Sequence, residues 1–189
     1  MRRYLSFLPL SFLFACLALY TFSFATTRGI SVTAKEGQSL YLYKDYHAVV
    51  VGVSNYEKWP RLPNAVSDAQ ELAAKLSELG FEVKLVLDPT AREMQALLNE
   101  MAYEIGREES RALLFYYAGH GETETLADKT KMGYIVPRDC PRLDRDPKGF
   151  AAHAISMSDI ESLSLRIYSK HVLSTPGELR RARLLGTLD

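Results

Sequence analysis

The chain has 189 residues, 47% of them hydrophobic and 24% charged, the proportions of a globular domain with a sizeable core. Lysine plus arginine and aspartate plus glutamate number 23 each, and so even a balance leaves no electrostatic footprint for nucleic acid or an anionic surface. The one basic cluster, Arg180, Arg181 and Arg183, reads as part of a solvated tail.

The first 25 residues differ in kind from the rest. Arg2 and Arg3 precede an apolar run from Leu5 to Phe24, and Ser23 Phe24 Ala25 puts small residues at the minus-three and minus-one positions of a cleavage site. Residues 1–25 therefore read as a signal peptide that exports the chain, periplasmic or secreted. Left uncut, a run of about 20 apolar residues would serve as an N-terminal anchor, the only route by which this sequence meets a membrane. Cys16 belongs to that segment, which leaves Cys140 alone in a processed chain and rules out an intrachain disulfide framework. His47, His120, His153 and His171 are scattered without ligand-like spacing, so neither a metal nor another cofactor is expected.

From residue 47 onward, short β-branched runs alternate with helical patterns, the signature of parallel strands joined by crossover helices. Ala48 to Val53 reads as a first strand buried on both faces. A loop rich in turn formers and aromatics, Ser54 to Pro63, follows. Asn64 is the predicted N-cap of a helix with Ala65, Ala69, Leu72, Ala73, Leu76 and Leu79 on one face and Gly80 at its end.

Glu82 to Leu87 reads as the second strand. Thr90 and Glu93 form a capping box for a helix striped by Met94, Leu97, Leu98, Met101 and Ile105. Arg111 to Ala118 reads as the third strand and delivers His120 between Gly119 and Gly121 at its carboxyl end, where open α/β sheets bind ligands. Two glycines there would let the backbone turn sharply and leave the imidazole open, as an acid/base histidine requires.

Further on, Glu122 to Lys131 is polar and predicted as a mobile loop, Met132 to Pro137 as a short strand, and Ser156 to Ile167 as a helix capped by Ser156 or Ser158. His171 Val172 Leu173 begins a fourth strand, which Ser174 Thr175 Pro176 Gly177 is expected to break. Glu178 to Leu188 is then a short amphipathic helix or disordered.

Together, His47 to Tyr56, Leu62 Pro63 Asn64 Ala65 Val66 Ser67 Asp68 Ala69, Tyr116 Tyr117 Ala118 Gly119 His120 Gly121, and Gly133 to Asp139 resemble the caspase-like cysteine peptidases, the caspase and metacaspase group, in particular bacterial members. The resemblance covers residues 45–173, with 174–189 a divergent tail. It implies a three-layer α-β-α fold with a mainly parallel sheet, here lacking its C-terminal part, and an endopeptidase acting on peptide or protein substrates.

By the same resemblance His120 is the histidine of a Cys/His dyad, and the Gly121 N–H helps hold the oxyanion. Asp68 matches an acidic residue of the first specificity pocket, where a buried carboxylate would favour arginine or lysine before the cleaved bond. The other reading of Asp68 is a first-turn carboxylate serving helix N–H groups. Family members often bind calcium, yet no ligand cluster is legible here.

The departure comes just past Leu173, where the family places Asp-Ser-Cys and this chain has Ser174 Thr175 Pro176 Gly177 Glu178. Ser174 lacks the elbow and base arrangement of a serine nucleophile. Cys140 lies in a turn where the family has no nucleophile. The chain itself is therefore expected to be inactive, either as a truncated or frame-shifted peptidase, which the abruptness of the change favours, or as a non-catalytic module that keeps the fold to bind peptides. An unrelated nucleotide-binding domain is disfavoured, since no G-x-x-x-x-G-K loop follows any strand. A sheet ending at the fourth strand would expose an edge.

Overall fold

The computed structural model describes residues 43–169 in full and the backbone of four short strands at 31–33, 39–41, 171–176 and 183–185. The predicted leader, Cys16, Arg180 and Arg181 lie outside the described residues. β1 (Ser31–Thr33) and β2 (Ser39–Tyr41) form an antiparallel pair. The main sheet contains β3 (Asp45–Gly52), β4 (Glu82–Leu87), β5 (Arg111–Ala118), β9 (His171–Pro176) and β10 (Arg183–Leu185), in the order β10-β9-β5-β3-β4. Its first four strands in sequence are parallel, and β10 is antiparallel to β9.

Three layers follow from how β3 is used. Ala48 and Val50 face α1 (Ala65–Glu78) with Ala69, Ala73 and Leu76, while Val49, Val51 and Val53 face α2 (Ala91–Tyr103) with Met94, Leu98 and Met101. Ala48, Val49, Val50 and Val51 of β3, and Val53 just past it, are each at most 1% exposed. Burying each of the valines contributes about 1.5–3 kcal/mol, so a strand between two helical layers reads as an unbroken apolar run.

Local chemistry explains the helix ends. The capping box of α2 is present: Thr90 Oγ1 accepts the Glu93 N–H at 3.3 Å, and the Glu93 carboxylate accepts the Thr90 N–H at 2.8 Å. Gly80 ends α1 with φ 92°, a conformation that excludes most side chains. Asn64 does occupy the N-cap of α1, but with helical φ/ψ and no side-chain cap bond. Leu79 is 59% exposed, so the apolar stripe stops at Leu76.

Four expectations are corrected. Residues 122–131 are not a loop but most of a hairpin, β6 (Gly121–Thr125) and β7 (Lys131–Ile135), within an antiparallel sheet ordered β6-β7-β8, β8 being Ile155–Ser156. β6 is polar on both faces, which hides its period, and Glu124 is held there by the Tyr134 hydroxyl at 2.8 Å. A helix absent from the sequence reading, α3 (Pro147–His153), is capped by Asp146, whose carboxylate accepts the Gly149 N–H at 2.9 Å. The helix expected over Ser156 to Ile167 is α4 (Met157–Ser164), capped by Ser156 through the Asp159 N–H at 3.0 Å. Finally β9 runs on to Pro176, whose missing N–H ends the ladder, and β10 covers the strand expected to be an exposed edge.

Candidate active site

His120 follows β5 after a single residue, Gly119, and its backbone is fixed by two tyrosines. Val136 N–H donates to His120 O at 3.1 Å, one half of an antiparallel pair. The other half is replaced by a relay: His120 N–H donates to Tyr56 Oη at 2.7 Å, Tyr56 Oη lies 3.2 Å from Tyr117 Oη, and Tyr117 Oη donates to Val136 O at 2.7 Å. Two hydroxyls thus stand where one N–H to carbonyl bond would be. Burial pushes the Tyr56 phenol up to about 12 and Tyr117 well above its ordinary value, so both stay neutral and able to donate.

The imidazole is half-buried between aromatic walls, 4.7 Å from the Tyr56 ring and 5.3 Å from the Trp59 ring between centroids. Its Nε2 lies 2.8 Å from Pro60 O. A carbonyl oxygen only accepts, so Nε2 carries the proton and Nδ1 holds the lone pair of the neutral ring. That leaves Nδ1 as the nitrogen able to take a proton from a reacting group.

The glycines differ from expectation. Gly80 has the only positive φ among the described glycines, so neither Gly119 nor Gly121 is there for a left-handed turn. Gly119 is required by close approach: a Cβ would lie 2.5 Å from Tyr56 Oη and 2.6 Å from Tyr117 Cζ. At Gly121 the nearest atom, Tyr134 O, would be 3.5 Å away, an ordinary contact.

A cavity of about 280 Å³ opens beside Gly119, lined among others by Asp68, Asn64, Tyr116 and Ala118. Asp68 is exposed at its rim, not buried as the pocket reading anticipated. No hydrogen bond or ion pair holds its carboxylate among the described residues, so it serves no helix N–H either. Burial, then the Asp68 charge, raises the Tyr116 phenol. His120 lies next to this cavity without lining it.

Residues that sequence reasoning missed carry the site. Asp88, in a left-handed conformation with φ 48°, accepts the Ser54 N–H at 2.7 Å, the Asn55 N–H at 2.9 Å and Asn55 Nδ2 at 2.6 Å. It thereby anchors the loop that bears Tyr56 and Trp59. Trp59 Nε1 donates to Cys140 O at 2.9 Å, and the Glu57 N–H to Arg138 O at 3.0 Å, while Asp139 accepts the Ala91 N–H at the start of α2. Arg138 of the 133–139 motif and Cys140 just past it therefore clamp that loop. Its only sequence signal is the density of aromatics between Ser54 and Pro63.

Cys140 is fully buried, and burial followed by the Asp139 charge pushes its thiol up to about 12, the reverse of an activated nucleophile. No group of three or more histidine, cysteine, aspartate or glutamate side chains among the described residues is arranged to hold a metal ion. Nor is any helix among them long and apolar enough to cross a membrane.

A parallel sheet covered by helices on both faces, with a histidine just past the carboxyl end of a central strand, is the architecture of caspase-like domains. The chain belongs to the caspase domain family, whose profile matches residues 45–165. It is 34% identical over 100 residues to human mucosa-associated lymphoid tissue lymphoma translocation protein 1, covering 53% of this chain and 11% of that protein. With the mouse homologue the figures are 33% over 107 residues, 57% and 12%. The matches span about a tenth of the length of these relatives. Protein GSU0716 from Geobacter sulfurreducens shares the fold with a TM-score of 0.52 at 16% identity, over 70% of this chain and 48% of that one.

Proposed function

We propose that this is a cysteine-type endopeptidase domain that carries the histidine half of its catalytic site, binds peptides with arginine or lysine before the target bond, and does not itself cleave them. The observation that carries the reading is the adjacency of His120, with Nδ1 left as the lone-pair nitrogen, to a cavity rimmed by the unpaired Asp68 carboxylate. In a complete dyad His120 would take the thiol proton and return it to the leaving amine, with the Gly121 N–H on the oxyanion. The carboxylate at the rim suits a long cationic side chain, whose apolar stem would lie against Tyr116 and Ala118. The sequence has only Cys16, in the predicted leader, and Cys140, and Cys140 is buried with a raised pKa, so no thiol among the described residues is suited to meet His120.

Matched peptides with arginine, lysine or aspartate before the cleavage position test this. The first two bind, the aspartate peptide binds at least about tenfold more weakly, and Asp68→Ala removes the distinction. None is hydrolysed, and a thiol-reactive peptide probe labels nothing in the folded chain. An undiminished preference in Asp68→Ala would sink the pocket reading, and hydrolysis that His120→Ala abolishes would sink the silent one. Export through residues 1–25, as leader or anchor, completes the proposal; fractionation of expressing cells that finds the chain only in the cytoplasm counts against it.

A further inference from the structure

We propose that the outer edge of β6 is a docking strand for the part of a peptide that follows the target bond, which adds to it as a β-strand starting at the Gly121 N–H. This rests on the reading of Gly121 and of the Asp68 cavity given above. Because Val136 N–H bonds His120 O, residues 120 and 136 belong to the hydrogen-bonded class of an antiparallel ladder. Such ladders alternate. Gly121, Thr123 and Thr125, opposite Ile135, Gly133 and Lys131, are therefore in the other class, with N–H and C=O directed away from β7.

β6 is the outermost strand of its sheet, and all three of these residues are exposed. Two of their donors bear directly on a ligand. Gly121 N–H is the one already assigned to the oxyanion, so the edge is continuous with the site. Among the described residues, Thr123 N–H is occupied only by the carboxylate of its own neighbour, Glu122, at 2.9 Å. That is a local stopgap a peptide carbonyl can displace, and it also blunts an edge that would otherwise invite pairing with other chains.

Outward groups recur every second residue, roughly 6.8 Å apart, which matches the repeat of an extended peptide. The polarity of docking follows from the layout. The cavity touches Gly119, before His120 in the chain, whereas β6 leaves from the other side of His120. A side chain in the cavity therefore sends the following residues along β6, past the imidazole that would protonate the leaving amine.

Two labelled peptides with arginine before the target bond, one ending there as an amide and one continuing for four residues, separate this from the pocket reading by fluorescence anisotropy. The longer peptide binds about tenfold more tightly, as two additional backbone hydrogen bonds imply. Thr123→Pro, a substitution an edge strand tolerates, erases that gain and leaves the shorter peptide's affinity unchanged. Glu122→Ala, by releasing the Thr123 N–H, strengthens only the longer peptide. Equal affinity of the two peptides for the native chain overturns the proposal, and so does a gain that survives in Thr123→Pro or fails to grow in Glu122→Ala. Should Thr123→Pro not fold, Glu122→Ala decides alone. Loss of the pocket reading shows separately, as insensitivity of the shorter peptide to Asp68→Ala.

Discussion

Replacing Gly119 by alanine would test whether two tyrosine hydroxyls, rather than a glycine turn, dictate the Gly-His-Gly sequence. The new Cβ would sit 2.5 Å from Tyr56 Oη, 2.6 Å from Tyr117 Cζ and closer still to Tyr117 Oη, where carbon contacts normally begin near 3.5 Å. Something must move. Tyr117 is 1% exposed and Gly119 is buried, so the strain cannot be relieved into solvent. Overpacking of this kind costs about 1–3 kcal/mol, and a displaced hydroxyl strands the His120 N–H or Val136 O for about 1–3 kcal/mol more. The sum, about 2–6 kcal/mol, is a large part of the 5–15 kcal/mol typical of a domain. Urea unfolding followed by Trp59 emission should show a midpoint lower by roughly 2 M, for a loss near the middle of that range and a slope of about 2 kcal/mol per M. Gly121→Ala, with ordinary contacts and no positive φ, should stay within about 0.5 kcal/mol of the native chain. Equal midpoints for Gly119→Ala and the native chain, or a larger loss at Gly121, would refute the reasoning.

Cys140 should resist alkylation near neutral pH in the folded chain and react fully in urea, as peptide mapping that separates it from Cys16 would record; native-state labelling contradicts its burial. Asp88→Asn should lower stability by about 1 kcal/mol at pH 7. Burial raises the Asp88 carboxyl, but bonds from Asn55 and Ser54 outweigh it and hold the pKa below its usual value. Its stabilisation is thus full above the unfolded value of about 3.9 and fades as pH falls through the lower folded one. The gap between variant and native chain should therefore close in acid, and a gap constant down to pH 2 excludes this origin. Trp59 is the only tryptophan, with its ring centroid 5.3 Å from that of His120. Its emission should change in intensity in His120→Ala, which removes the neighbouring ring; an emission spectrum identical to the native chain's argues against the stacked geometry.

Legibility in the sequence followed burial. β3, α2 with its capping box, and the end of α1 at Gly80 were readable because each is dictated by neighbours within a few residues. β6 was not, because Glu122 and Glu124 are half-buried carboxylates in a strand with no apolar face. α3 was missed because Phe150 is its only buried hydrophobic residue, too few for a helical period. Of the candidate site, His120 and Asp68 were proposed from their motifs, whereas the burial expected of Asp68 failed because α1 presents it at the rim of the cavity.

By itself, then, the sequence determined the order β3, α1, β4, α2, β5 and the address of His120, because a strand buried on both faces must be an unbroken apolar run and its end is where the run stops. The tertiary structure alone decided how that histidine is held. Tyr56 lies 64 residues before His120, and Pro60 lies 60 before it; they meet it only because β3 and β5 pair in parallel register and bring the loop after β3 to the carboxyl end of β5. The choice of Nε2 as the protonated nitrogen and the exclusion of any Cβ at Gly119 are properties of that convergence, which no local pattern encodes.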